Sequence, residues 1–166
     1  MEEEDAFEQA KNIILRFLSF RARSVEEVKR HLTKKGYSEA MVEAAIAWAR
    51  EYRLLNDVEF AARWVENRKI QKPMGKRRLI HELKEKGIPE AIIASQICDF
   101  SSEEEYQLAR NFAESKLDRT TRTVTPEKVM GWLLRRGFSS ELCYKIVREL
   151  KNNPQWSSKM SKMLNS

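Results

Sequence analysis

The sequence predicts an all-α protein built from three tandem three-helix repeats. The first observation behind this is a period. Residues 32–38, 83–89 and 133–139 each run from a leucine to a basic residue and a glycine, and Gly36, Gly87 and Gly137 lie 51 and then 50 residues apart. Apolar residues recur in register with them. Val28, Leu79 and Val129 precede each leucine by four, and Met41-Val42, Ile92-Ile93 and Leu142-Cys143 follow each glycine by five and six. A fixed period with matched apolar positions is one structural unit used three times. The second observation is compositional: the 166 residues include only five glycines and four prolines, which disfavours a turn-rich all-β fold.

Each anchor segment reads as helix, glycine turn, helix. An apolar i, i+4 pair marks a buried helix face. Basic residues such as Lys34-Lys35 and Arg135-Arg136 fall in the last turn, where the helix dipole favours cations. The glycine takes the left-handed position that ends the helix. Tyr37, Ile88 and Phe138 can then pack back onto it. Ser38 and Ser139 cap the next helix, and Pro89 fits a first helical position.

A further helix precedes each anchor. Phe7, Ala10, Ile14, Phe17 and Leu18 share one face of a helix from about Asp5 to Phe20. Ser24 and Glu27 form a capping box for the helix after it. Asn56 caps a helix carrying Phe60, Ala61, Trp64 and Val65. Ser102 and Glu105 open one carrying Tyr106, Ala109, Phe112 and Ala113, and Thr125-Pro126 starts the helix that follows. The repeats are expected over residues 1–55, 56–101 and 102–151. Residues 152–166 read as a polar tail, frayed or holding a short extra helix.

Composition excludes several classes. Lys plus Arg is 31 against 25 Asp plus Glu, a formal net charge of +6, with 42% apolar or aromatic residues. That is too apolar for a disordered chain, and no eighteen-residue apolar run exists to span a bilayer. The opening Met1-Glu2-Glu3-Glu4-Asp5 is acidic, unlike a secretory signal, so a cytoplasmic protein is expected. Cys98 and Cys143 form neither a disulfide framework nor a metal motif and read as small core residues.

The central repeat carries a denser pattern. Leu54-Leu55-Asn56-Asp57 is followed by Phe60-Ala61, Trp64-Val65 and Arg68. After a short basic segment come Gly75, Arg78-Leu79, Glu82-Leu83 and Lys86-Gly87-Ile88. This resembles the RecX family of bacterial recombination regulators. Asn56 stands where the family has an acidic residue, and Leu79 where it has isoleucine. Both keep the cap and the apolar face. The resemblance is dense over Leu54–Ile88 and looser in the flanking repeats. It implies an elongated, curved array of three-helix repeats that binds the RecA nucleoprotein filament on single-stranded DNA. It implies inhibition of RecA ATPase, strand exchange and coprotease activity, with no catalysis. No cofactor or metal is expected, and the chain is expected to act as a monomer.

The residues themselves point to a basic binding surface. Arg68, Lys69, Lys72, Lys76, Arg77 and Arg78 occur with no acid among them. Such a block neutralises phosphates, or it meets an acidic protein surface. A solvated helix end is the plain alternative. The pairs Lys34-Lys35 and Arg135-Arg136 line one edge of the array if the repeats stack with a common hand. Arg119, Arg122, Lys128, Arg135 and Arg136 form a second block of candidates, diluted by Glu127. A non-specific nucleic-acid-binding protein acting directly on DNA is the alternative function.

Other chemistry finds little support. The helices after each glycine open with Glu39, Glu90 and Ser140-Glu141, which place acids where a DNA-reading helix needs base-edge donors. His31 and His81 lie in separate repeats with no ligand spacing, and read as half-exposed helix residues. No strand is predicted, so no phosphate-cradling loop follows one. Trp48, Trp64, Trp132 and Phe112 read as core, with Trp132 partly exposed. Trp156 lies in the tail as a candidate exposed anchor for a partner or for a neighbouring unit, and the sequence leaves that choice open.

Overall fold

The computed structural model describes residues 2–160. Ten helices occur among them, and no extended strand. They are α1 (Glu2–Phe20), α2 (Val25–Lys34), α3 (Glu39–Glu51), α4 (Asp57–Gln71) and α5 (Lys76–Glu85), then α6 (Glu90–Asp99), α7 (Ser102–Asp118), α8 (Pro126–Arg135), α9 (Ser140–Asn152) and the single turn α10 (Pro154–Ser157). The order fits tandem three-helix repeats. By contact the chain divides into two compact units. One holds the residues up to Trp64 with Glu82–Ser95, and the other holds Val65–His81 with the residues from Gln96 onward.

The three glycine turns form as the local chemistry requires. Gly36, Gly87 and Gly137 have φ of +91°, +71° and +81°. In each turn the residue after glycine donates its N–H back to the leucine carbonyl: Tyr37 to Leu32, Ile88 to Leu83 and Phe138 to Leu133. The glycine N–H reaches the carbonyl one residue further along the helix. This satisfies carbonyls that a helix end otherwise orphans. Ser38 and Ser139 then cap α3 and α9. Pro89 takes the same slot, just before α6, and is not the first helical residue. It has no side-chain acceptor, so its carbonyl alone receives the Ile92 and Ile93 N–H groups.

In the first unit α1 and α2 both pack on α3. Ala10, Ile14, Val28, Leu32 and Ile46 are buried in its core. α1 begins earlier than its apolar stripe, at Glu2, since acids suit a helix N-terminus. Ser24 closes a full capping box with Glu27. Asn56 Oδ1 accepts from the Val58 and Glu59 N–H groups, as a cap should. Asp57 Oδ1 accepts the Val25 N–H at 2.9 Å, tying the start of α4 to the start of α2.

In the second unit α7, α8 and α9 enclose Ala113, Leu117, Val129, Leu133, Phe138 and Ile146. The cap of α7 is Ser101 with Glu104, one residue before the expected pair. Both registers fit the sequence. Glu105 is engaged elsewhere, its Oε1 accepting the Lys76 N–H at 2.9 Å. The tail is no frayed end as far as Met160. Trp156 and Met160 are buried in the core, and the Val124 N–H bonds to the Lys159 carbonyl at 2.9 Å. The expected tail from Ser161 onward lies outside the described residues.

Two expectations about burial fail. Cys143 is buried as expected, but Cys98 is exposed near the end of α6. Trp48, Trp64 and Phe112 are half-buried at the rims of the cores rather than inside them, whereas Trp132 is partly exposed as expected.

A basic surface on the second unit

Both basic blocks singled out in the sequence fall within the second unit. They do not form one uniform patch. Lys69 and Lys76 flank the buried Phe100, their ammonium groups 4.5 and 5.5 Å from the ring centre. Lys69 also lies 3.4 Å from Glu104 and 3.9 Å from Glu66. The Ser101 N–H and hydroxyl, together with Lys69, hold the Glu104 carboxyl below its ordinary range. The Arg136 guanidinium sits 5.0 Å from the Phe112 ring centre. These three cations are engaged by ring faces or carboxylates, which act like a fold's own fittings.

Arg77, Arg78 and Arg135 are exposed and are arranged differently. With His81 they line a cavity of about 420 Å³ whose remaining wall is Leu134, Gly137 and Phe138. The first turn of α5 supplies Arg77 and Arg78. The last turn of α8 supplies Arg135. Two bonds fix the pair of helix ends: Arg78 Nη1 donates to the Arg135 carbonyl at 3.0 Å, and the Gly75 N–H donates to the Arg136 carbonyl at 2.8 Å. A side chain at Gly75 is impossible without movement, since its Cβ would lie 2.6 Å from Phe138 Cα. The cavity is therefore built by backbone contact and edged by cations. Such a recess accepts carboxylate or phosphate oxygens.

Lys72 is exposed just beyond α4, and Arg68 is half-buried in its last turn. Arg119, Arg122 and Lys128, the rest of the second block, are exposed around the connection from α7 to α8. His81 was not singled out for function, yet it stands beside Arg77 and Arg78. The signal was present, because Arg77 and His81 are four apart on one helix and so share a face. His31 is a packing residue: its ring stacks on Phe17 at 4.0 Å. Burial, with Lys35, Arg23 and Lys34 nearby, pushes its pKa down. Among the described residues no group of three or more His, Cys, Asp or Glu is placed to hold a metal ion. No described helix is long and apolar enough to cross a membrane.

Ten helices in the order of tandem three-helix modules define an all-α helical-repeat protein. Comparison with known proteins makes this specific. Residues 10–48 match the family model for the first three-helix domain of RecX, and residues 56–95 match that for the second. The chain is 36% identical over 153 residues to the regulatory protein RecX of Mycolicibacterium smegmatis, covering 87% of this chain and 81% of that one. It is 30% identical to the regulatory protein RecX of Clostridium perfringens strain SM101, over 90% of this chain and 72% of the relative. The crystal structure of RecX from Lactobacillus salivarius superposes with a TM-score of 0.79 at 22% identity, over 90% of this chain and 99% of that one. The chain belongs to the RecX family of regulatory proteins.

Proposed function

We propose that this protein regulates the RecA recombinase. It binds RecA filaments on single-stranded DNA in the cytoplasm as a monomer, and it inhibits their ATPase, strand exchange and coprotease activity, tempering DNA repair and the SOS response. The repeats over residues 1–55, 56–101 and 102–151 each present surface to the filament. Membership of a family of regulatory proteins supports this reading, and so does the resemblance of Leu54–Ile88 to the pattern of RecA regulators.

The observation in this chain that carries it is the recess of Arg77, Arg78, His81 and Arg135. Its cations attract an acidic protein face or the filament's phosphates. Contacts made to one filament state and not to another shift the population by their difference in affinity, so no turnover is required.

The test is the DNA-stimulated ATPase of the cognate RecA, with this protein titrated far below RecA. Inhibition at a small molar fraction, insensitive to excess single-stranded DNA and lost in Arg77→Glu with Arg78→Glu, is the expected result. Inhibition only near DNA-coating levels, reversed by added DNA, would replace this reading with direct, non-specific DNA binding.

A further inference from the structure

The strongest feature outside the basic recess is a groove of about 440 Å³ between α8 and α9. Its floor is Met130, Gly131 and Val147, and its walls carry Leu134 and Tyr144, 42% and 69% exposed. Single exposed apolar side chains are ordinary, but a contiguous apolar groove marks an interaction surface.

The repeat shows how this face differs from that of the first repeat. Met130 and Tyr144 each stand seven residues from Gly137. The same positions around Gly36 are Lys29 and Glu43, which close the first repeat's α2–α3 face with an ion pair at 2.7 Å. The third repeat has a thioether and a phenol in place of that polar seal, where the second has Ile80 and Ala94.

Gly131 is the second difference. Arg30 and His81 fill its place in the other repeats. A glycine inside a helix is disfavoured relative to alanine. Packing does not demand this one, because a Cβ there would meet only the far end of the Arg135 side chain, at 3.1 Å. What the glycine does is leave only the movable end of Arg135 over α8 at the groove floor, so that another backbone can approach closely when that side chain turns away.

Charge gives the third. Arg148 and Lys151 line the α9 side, and neither makes an ion pair within 4 Å among the described residues. Glu127, opposite, is engaged at its own helix start by its backbone N–H and the Thr125 hydroxyl and also feels the Lys151 charge, which leaves Arg148 as the cation with no acid facing it within 4 Å among the described residues.

We propose that the α8–α9 groove docks an amphipathic α-helix of a partner protein, apolar on one face and acidic along the flank that meets Arg148 and Lys151. A trough between two helices receives a third as a ridge. α8 has ten residues, about 15 Å of helix, which matches an occupant of about three turns with anchors at i, i+3 and i+7. This groove adjoins the basic recess, with which it shares Leu134, but its apolar lining is its own and stands whether or not RecA is the partner.

The probe is a stapled, fluorescein-labelled peptide of about fourteen residues with leucine anchors and glutamate flanks, beside a lysine-flanked counterpart. Fluorescence anisotropy is expected to show saturable binding of the glutamate peptide, about tenfold or more tighter than the lysine peptide. Arg148→Glu with Lys151→Glu reverses that preference. Tyr144→Asp, at an exposed position that leaves the core intact, abolishes binding, and Gly131→Trp does the same by filling the floor. Circular dichroism confirms that each variant is folded. Equal binding of both peptides, or binding unchanged by Tyr144→Asp, overturns the proposal. So does a concentration-dependent dimer that Tyr144→Asp dissolves, since the occupant is then a second copy.

Discussion

Gly75 donates its backbone N–H to the carbonyl oxygen of Arg136 at 2.8 Å. Gly75 stands just before the second helix of one repeat, and Arg136 just before the glycine turn of the next. The first unit repeats the arrangement with other atoms: Ser24 Oγ donates to the Lys86 carbonyl at 2.6 Å. In both, the C-terminal carbonyls of one helix meet the N-terminal end of another, so opposite ends of two helix dipoles face each other. The glycine turn thus serves two purposes. It ends a helix, and it presents that end to the preceding repeat.

This relationship orders two glycine substitutions. Gly75→Ala places a methyl 2.6 Å from Phe138 Cα and from the Gly137 carbonyl carbon, both backbone atoms that cannot rotate away. It is expected to cost about 2–3 kcal/mol, as overpacking of a tight site does. Gly36→Ala meets nothing within 4 Å and suffers only from its φ of +91°, an expected loss of about 1 kcal/mol. Urea midpoints should therefore fall further for Gly75→Ala. The reverse order would mean that the inter-repeat contact is loose.

Glu27 gives the fold an acid limit. Burial alone would raise its carboxyl. Hydrogen bonds from Arg21, Lys86 and the Ser24 N–H outweigh that and hold the pKa down to about 2. A carboxylate whose pKa is lower when folded adds stability above its unfolded pKa, near 4.5, and loses it as pH falls towards 2. Discounted for partial solvent access, the contribution at neutral pH is about 1–2 kcal/mol. Glu27→Gln should lower stability at pH 7 by that amount and flatten the stability curve between about pH 4.5 and 2. A variant with the same acid slope as the parent would remove Glu27 from this role.

Arg53 is the one non-glycine residue at positive φ among those described, at +56°. It ends α3 as a glycine would: its N–H bonds to the Arg50 carbonyl and the Leu54 N–H to Ala49. The side chain is exposed, so nothing in the packing requires it. Arg53→Gly should relieve the left-handed strain and stabilise the protein by about 0.5–1 kcal/mol. Thermal melts are expected to shift upward by about 1–4 °C.

Trp156 decides whether the segment after α9 belongs to the fold. Its ring is 3% exposed within the second unit's core, and its indole N–H is buried without a hydrogen-bond acceptor. Trp156→Ala should cost about 3–5 kcal/mol, as large aromatic truncations do. Trp156→Phe should cost far less, because the lost volume is offset by removing an unpaired polar group. Chemical denaturation of the two variants measures the difference. Similar small losses for both would make this segment an appendage.

What the sequence made legible was the chemistry that is local. Each glycine turn is settled within seven residues, so the repeat and its caps could be read directly. The errors occur where a distant residue decides. Ser101 and Ser102 offer the same capping box in two registers, and only the Lys76 N–H, far back in the chain, claims Glu105 and settles the choice. Trp156 is core because Val124 and Lys159 pair across more than thirty residues. The basic block was visible as a run, but not its division. Phe100, Phe112 and Glu104 take Lys69, Lys76 and Arg136, while Arg135 arrives from another repeat to complete the recess.

That division predicts opposite behaviour for two neighbouring cations. Lys69 is 20% exposed, packs over Phe100 and faces both Glu66 and Glu104. Lys69→Glu would set a third carboxylate among two others and strip the ring of its cation, an expected loss of about 1–2 kcal/mol. Arg77 is exposed at the mouth of the recess, and Arg77→Glu should change stability by less than about 0.5 kcal/mol. Binding should respond the other way. Reversing Arg77 replaces an attracting charge with a repelling one at an open site, which slows association and weakens partner binding by about tenfold at low salt. Added salt should shrink that difference, because exposed charges are screened. Denaturant melts and partner titrations on the two variants give a crossed pattern if the recess is the working part of the basic surface. Parallel losses in both assays would mean that the run from Arg68 to Arg78 acts as one undivided charge.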